Sequence, residues 1–254
     1  PAAINQGRPR PRTRTRSFPL PRVFTGLSLT APPPAPPLPT DPPVNLRGKF
    51  ITFEGSEGSG KSTQIERLVT RLQHSGLGTL VTREPGGTEL GEEIRNLLLH
   101  HRAGGAMAAE TELLLFAAAR AQLVRERIAP ALAAGQVVIS DRFHDSTTVY
   151  QGAARRLAPE AVARINHFAV GHHLPDLTFL LDVPVEVSRA RVRGRGDGRP
   201  DRIERESAEF FTRVRDGYLA LAQAESRRIA VIDSTQPIDT VSALIWQTVH
   251  ERLA

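Results

Sequence analysis

The sequence predicts an α/β protein in which a five-stranded parallel sheet carries helices on both faces, giving three layers. Five short segments rich in Val, Ile, Leu, Phe and Thr are typical of buried strands. They are KFITFEG, TLVTRE, QVVISDR, LTFLLDV and RIAVIDS, starting at residues 49, 79, 136, 177 and 228. Segments with a period of 3.6 residues separate them, such as STQIERLVTRLQHSG, which ends in a glycine as helices often do. Strands that alternate with helices form parallel sheets, and ligands bind beyond the carboxyl ends of those strands.

Length and cysteine content narrow the class of protein. A chain of 254 residues can bury a substantial core. It contains no cysteine, which excludes disulfides and thiolate metal sites and is typical of a reducing compartment. No run of about 18 apolar residues occurs, so we expect no membrane span and a cytoplasmic location.

The basic character of the chain is concentrated at its N-terminus. Of the net charge of +6, residues 1–46 contribute +5 through six arginines and one aspartate, and they also hold 13 of the 20 prolines. Because this segment lacks the apolar periodicity of a core, we interpret it as a dispensable, disordered extension with polyproline II stretches. Its composition also resembles that of a transit peptide. We expect residues 47–254 to form the folded domain, whose charge of +1 disfavours nucleic acid as a partner.

A phosphate-binding loop follows the first predicted strand. The segment GSEGSGKS fits G-x-x-x-x-G-K-[ST] and lies between a predicted strand and a predicted helix, which is the context that the pattern requires. Its glycines allow backbone N–H groups to turn towards phosphate oxygens, and the helix adds the positive end of its dipole. The expected ATP-binding residues are Gly55, Ser56, Glu57, Gly58, Ser59, Gly60, Lys61, Ser62 and Thr63. Lys61 should reach the β- and γ-phosphates and Ser62 should bind Mg²⁺, but this loop also occurs in GTPases and ATPases.

Arginines near the predicted strand ends indicate what receives the phosphate. The guanine-reading pattern N-K-x-D of common GTPases is absent. A phosphomonoester has a second pKa of about 6, so it is already a nucleophilic anion and needs cations rather than a general base. Arginine binds phosphate in bidentate fashion and keeps its charge. The pattern therefore predicts a nucleoside monophosphate kinase.

Five blocks of sequence resemble the bacterial thymidylate kinase family. They are FEGSEGSGKST, TREPGGT, LLFAAAR, DRFHDSTTVYQG and DRIERESAEFF, in this order and spacing, and the resemblance covers roughly residues 49–235. It implies a P-loop kinase fold for residues 47–254, with a small mobile lid at about residues 193–205, and a homodimer. The implied activity is transfer of the γ-phosphoryl group of ATP to dTMP, which gives dTDP for dTTP biosynthesis.

The resemblance also implies which residues read the nucleoside. Phe116 and Arg120 are four residues apart on a predicted helix, where they would stack on thymine and bond a base carbonyl. Thr147 and Gln151, again four apart, would face the base edge, to which an amide offers a donor and an acceptor. Tyr150 would fill the space of a 2′-hydroxyl and so favour deoxyribose.

Charged residues are implied around the acceptor phosphate. Glu57 would lie near the 3′-hydroxyl, and Arg95 and Arg142 would bind the phosphate. Asp141 would orient Mg²⁺ through water, and Arg83 would hold this side of the site together. One subtype of the family carries a catalytic arginine in the phosphate loop, but the loop of this chain contains no arginine. The resemblance therefore implies that the catalytic cation comes from the glycine-punctuated lid, as in the other subtype.

Two lid arginines, Arg195 and Arg199, are the candidates for that cation, and the sequence does not choose between them. Three alternatives to a dTMP kinase stay open at this point. They are a deoxynucleoside or other nucleotide kinase, a nucleic-acid-binding protein that uses its basic N-terminus, and a non-catalytic P-loop switch.

Overall fold

The structure, a computed structural model, describes residues 45–100, 107–194 and 201–253. Its sheet consists of β1 (Phe50–Glu54), β2 (Thr79–Arg83), β3 (Val137–Asp141), β4 (Leu177–Asp182) and β5 (Ile229–Asp233). All neighbouring strands run parallel, in the order β2-β3-β1-β4-β5. The predicted five-stranded parallel sheet is therefore confirmed. The predictions for the N-terminal extension up to residue 44 and for Arg195 and Arg199 lie outside the described residues.

Helices connect the strands. In the described residues they are α1 (Lys61–His74), α2 (Glu89–Leu99), α3 (Ala109–Leu123), α4 (Ala129–Ala133), α5 (His144–Thr147), α6 (Pro159–Val170), α7 (Val185–Gly194), α8 (Ala208–Ala224) and α9 (Ile238–Leu253). Two segments are π-helical, Val124–Ile128 and Thr148–Ala154. Within the described ranges, no helix is both long enough and apolar enough to cross a bilayer.

Alternating side chains of the strands build a core on each face of the sheet. Ile51 and Phe53 of β1 pack in one cluster with Leu68 of α1 and Trp246 of α9. Phe50, which points to the opposite face, belongs to a second cluster with residues of α3 and β3. This period of two in each strand gives the three-layer arrangement that the sequence predicts.

Strand order and register bring the functional segments to one edge. β1 lies at the centre between β3 and β4, and the phosphate loop follows it directly. Asp141 at the end of β3 is level with Phe53 of β1 and Arg83 of β2. The loops after these three strands therefore start within one small region of the sheet edge, where ligands of parallel α/β proteins bind.

Candidate active site

The phosphate loop takes its shape from its backbone. Gly55, Gly58 and Gly60 have φ values of 132°, 75° and 95°, in the region that favours glycine. A Cβ atom at Gly58 would lie 2.8 Å from the Ser188 carbonyl oxygen, so the loop and α7 approach closely at this point. α1 begins at Lys61 without a side-chain cap and without an acidic residue in its first turn. The N–H groups of this helix end can therefore bind an anion.

Lys61 is folded back over the loop. Its Nζ donates to the carbonyl oxygens of Gly55 and Ser56 at 3.2 and 3.1 Å. Burial lowers the pKa of Lys61, and the nearby charge of Arg142 lowers it further. An anion at this position would compensate for the desolvation of the ammonium group. The arrangement suits a bound polyphosphate.

The residues predicted to hold Mg²⁺ lie on the same cavity wall. Ser62 and Asp141 line one cavity, and the Asp141 Oδ1 atom is buried without a hydrogen-bond partner in the described part of the chain. Hydroxyl and carboxylate oxygens are ligands that Mg²⁺ accepts. Across the described ranges, no group of three or more His, Cys, Asp or Glu side chains could form a metal site by itself. Since Mg²⁺ usually combines few protein ligands with water and nucleotide phosphates, these two residues fit that ion.

A cavity of about 300 Å³ joins most of the predicted acceptor residues. It is lined by Glu57, Arg83, Arg95, Phe116, Arg142, Thr147, Tyr150 and Gln151, together with Ser62 and Asp141. Glu84, Ser146 and Phe211 also line it, as do Asp201 and Ile203 from the described part of the predicted lid. Arg120 is not among its lining residues.

Arg142 lines this cavity in a strained backbone conformation. Its φ of 71° is in the left-handed region, which is uncommon for residues other than glycine. One guanidinium nitrogen donates to Glu57 at 2.7 Å, and the other donates to the hydroxyls of Ser146 and Tyr218 at 3.3 and 3.4 Å. Burial alone would lower the pKa of Arg142, but Tyr150, Glu57 and Tyr218 raise it well above its ordinary value. The guanidinium therefore stays charged where the acceptor phosphate is expected.

Glu54, which sequence reasoning missed, fixes the neighbourhood of Arg142. This buried carboxylate ends β1 and accepts from the Phe143 amide at 2.8 Å, the Ser146 hydroxyl at 2.6 Å and the Tyr218 hydroxyl at 2.7 Å. Burial, together with the charge of Asp145, raises the pKa of Glu54. Glu54 could have been identified from the sequence, because it is a charged residue in an otherwise apolar strand, directly before the phosphate loop. Tyr218 carries no such signal, because it comes from α8, far along the chain.

Arg120 forms a buried junction behind the cavity. Its Nε atom donates to Glu84 at 2.8 Å, and its two terminal nitrogens donate to Asn166 and Thr147 at 2.9 and 2.8 Å. Burial raises the pKa of Glu84 to about 7 although Arg120 opposes this. In this arrangement Arg120 orders the side chains around the base end, and its direct bond to a base carbonyl stays a prediction.

The β2 side of the cavity carries two further arginines. Arg83 forms two hydrogen bonds of 3.0 Å to Glu92, and Arg95 donates to the Pro85 carbonyl oxygen at 2.9 Å. Burial lowers the pKa of Arg95, and the charge of Arg83 lowers it further. The repulsion between these two neighbouring cations favours the binding of an anion between or beside them.

The end of the cavity that is predicted to receive the base, called the base end, lies between α3 and the π-helical segment after α5. Phe116 is partly exposed into it, and Gln151 donates its amide to Glu112 at 2.7 Å. Glu112 also forms ion pairs with Arg155 and Arg202. Glu112 was missed in the sequence, although its position four residues before Phe116 places both on one helical face.

The chain matches known proteins over most of its length. A model of the thymidylate kinase family matches residues 53–245. The Geobacter sulfurreducens thymidylate kinase is 49% identical over 210 residues, which is 81% of this chain and 98% of the relative. The enzyme of the same name from Thermomicrobium roseum is 50% identical over 202 residues, covering 80% of this chain and 94% of the relative. The phosphate loop, the segment DRFHDSTTVYQG and the cavity agree with this coverage, and the chain belongs to the thymidylate kinase family.

Proposed function

We propose that the protein transfers the γ-phosphoryl group of ATP to dTMP and so produces dTDP and ADP for dTTP biosynthesis. The observation that carries this proposal is that the phosphate-loop residue Ser62, the carboxylate Asp141 and the cation Arg142 line the same cavity as Phe116. Two relatives that share 49% and 50% sequence identity with this chain are named thymidylate kinase. These features support a nucleotide acceptor with an aromatic-stacked base.

The chemistry needs positioned cations rather than a base. A dTMP phosphate oxygen attacks the γ-phosphorus while the bond between this phosphorus and the β–γ bridging oxygen breaks, so that ADP leaves with the electron pair. Arg95 and Arg142 hold the acceptor phosphate, and Lys61 spreads the charge of the donor phosphates. Ser62 and, through water, Asp141 would hold Mg²⁺, which neutralises charge on the nucleotide phosphates when bound.

The lid and the nucleoside contacts complete the proposal. Arg195 or Arg199 supplies the remaining cation when the lid closes and excludes water. Glu57 accepts from the 3′-hydroxyl, and Tyr150 occupies the space of a 2′-hydroxyl. The ring of Tyr150 lies 5.4 Å from the Arg142 guanidinium, which supports a place beside the sugar.

We further propose a homodimer formed through α3 and α6, which pack against each other. Leu114 of α3 is 56% exposed and Phe168 of α6 is 80% exposed. Burying these apolar side chains against a second copy would remove them from water. A cytoplasmic location, a dispensable segment at residues 1–46 and no nucleic-acid partner belong to the same proposal.

The test is dTMP-dependent formation of ADP by the full chain and by residues 47–254. We expect both to turn over dTMP in preference to thymidine. Lys61→Ala should lower kcat by about 100- to 1000-fold, as loss of a preorganised cation does. Lys49→Ala, which changes the other lysine of the chain, is the matched control and should keep normal activity. Turnover of thymidine without dTMP would instead identify a deoxynucleoside kinase.

A further inference from the structure

We infer that Glu112 is a positioning residue that sets base selectivity by fixing the side-chain amide of Gln151 in one orientation. The inference rests on the proposed function, in which the pyrimidine lies at the Phe116 end of the cavity. It assigns to this buried carboxylate the discrimination between a base with an N3–H donor and a base with an N3 acceptor.

The orientation of the amide follows from the chemistry of its partner. Gln151 and Glu112 are 1% and 2% exposed, and the Gln151 Nε2 atom lies 2.7 Å from the Glu112 Oε1 atom. An ionised carboxylate can only accept hydrogen bonds, so the NH₂ group must face it. The amide oxygen of Gln151 therefore points away from Glu112.

Two arginines keep the carboxylate ionised. Arg155 donates to both oxygens of Glu112 at 3.3 Å, and Arg202 pairs with the same carboxylate. Burial alone would raise the pKa of Glu112, but the hydrogen bond from Gln151 and the charges of Arg155 and Arg202 lower it overall. Glu112 therefore has no proton to offer the Gln151 amide, and the reversed orientation would place two acceptors against each other.

The amide oxygen is the atom of Gln151 left for the substrate. In the described part of the chain no hydrogen bond reaches the Gln151 Oε1 atom, and Gln151 lines the cavity beside Phe116 and Thr147. Thymine and uracil carry one donor on this edge, N3–H, which an acceptor satisfies. Cytosine in the same pose presents the N3 lone pair, which leaves two buried acceptors facing each other. The fixed amide therefore admits dTMP and dUMP and excludes dCMP.

Glu112→Gln tests the inference because a neutral amide can either donate or accept. Gln151 can then turn over and offer its NH₂ group to the base. We expect the ratio of kcat/KM for dTMP to that for dCMP to fall by about tenfold or more. The kcat/KM values for dTMP and dUMP should fall by similar factors, since both bases share the N3–H donor. A ratio within about twofold of wild type would overturn the inference.

Arg155→Gln is the matched control. It removes one ion pair from Glu112 but keeps the carboxylate, its pairing with Arg202 and its hydrogen bond to Gln151. The dTMP to dCMP ratio should therefore stay within about twofold of wild type. An equal fall in both variants would show that packing around the ion pairs, not the amide orientation, sets the ratio, and would overturn the inference.

A second variant keeps the inference testable if Glu112→Gln fails to fold in a urea titration. Gln151→Leu removes the amide itself and should lower the same ratio to a similar extent, because Glu112 acts only through Gln151. Where both single variants fold, the double variant should add no further loss. Full discrimination in Gln151→Leu would contradict the inference. Failure of the proposed function has a different signature, because wild-type protein would then not phosphorylate dTMP.

Discussion

The two halves of the active site are built in different ways. The half proposed to bind ATP, called the donor half, consists of the consecutive residues 55–63, and its geometry comes from glycine conformations and backbone N–H groups. The half proposed to bind dTMP, called the acceptor half, draws side chains from β1, α3 and α8, from the residues that follow β3 and from the π-helical segment Thr148–Ala154. Hydrogen bonds among those side chains fix it. A site made of backbone is specified locally, whereas a site made of side chains depends on contacts over the whole chain.

The difference extends to charge. Backbone amides do not titrate, so what they contribute to the electrostatics of the donor half does not change with pH. The acceptor half contains three buried carboxylates with shifted pKa values, raised for Glu54 and Glu84 and lowered for Glu112. We therefore expect the acceptor half to carry most of the pH dependence of stability.

The largest effect should come from Glu84, whose pKa is about 7 in the folded protein and 4.5 ordinarily. Between these two pKa values the folded state binds more protons than the unfolded state. The contribution of Glu84 to the free energy of unfolding therefore falls as the pH rises. In the Glu84→Gln variant, the glutamine side chain at this position does not titrate. The stability advantage of wild type over this variant should therefore shrink by about 3 kcal/mol between pH 4.5 and pH 8. Urea unfolding of both proteins across this range measures it.

Glu92→Gln provides the comparison for this experiment. It removes a half-exposed carboxyl of α2, which is paired with Arg83 at the end of β2. The difference between wild type and this variant should change little with pH, because solvent screens an exposed pair. A pH-independent difference for Glu84→Gln would place the titrating group elsewhere and weaken the contrast between the two halves.

The next effect tests whether the donor half depends on its backbone. Gly58 and Gly76 have nearly equal φ values of 75° and 76°, but an added Cβ meets the Ser188 carbonyl only at Gly58. Gly76→Ala should cost only the left-handed strain of about 1 to 2 kcal/mol. Gly58→Ala should cost about 2 kcal/mol more and raise KM for ATP. Equal losses in urea unfolding would show that the close approach to α7 is unimportant.

The smallest effect tests the side-chain network alone. Tyr218→Phe removes the hydroxyl that joins Glu54 to Arg142 while keeping the ring. We expect kcat/KM for dTMP to fall about tenfold, near 1.4 kcal/mol, with KM for ATP almost unchanged. Thr212→Val, which removes an exposed hydroxyl bonded to Ala208 on the same helix, is the control and should leave both parameters normal. A rise in KM for ATP as large as the fall in kcat/KM for dTMP would mean that the two halves do not act independently.

Local patterns account for what the sequence could predict. The five strands follow from short apolar runs, and the phosphate loop follows from a pattern contained in eight residues. Family membership follows from five sequence blocks, and the comparisons confirm it. The roles of the individual site residues stay predictions, although eight of the nine expected at the acceptor line one cavity.

The residues that were missed depend on long-range packing. Glu54 meets Tyr218, and Glu112 meets Gln151 and Arg202, across separations that no periodicity reveals. Arg120 shows the same limit, because its position on α3 is predictable but its burial against Glu84 and Asn166 is not. A charged residue in an apolar segment marks a buried network without identifying its partners.

The π-helical turn at Thr148–Ala154 has a consequence for how this site could diverge. A π-helix holds one residue more per turn than an α-helix, and such turns are common at functional sites. Loss of a single residue within this turn would restore α-helical winding and move the side chains of the turn itself, while the chain beyond it could keep its place. Gln151, which lies within this turn, would then change its place in the cavity wall while the sheet and the phosphate loop kept their shape. With Gln151 reading the base as proposed, a one-codon deletion in this turn could thus change substrate choice while Gln151 itself is kept.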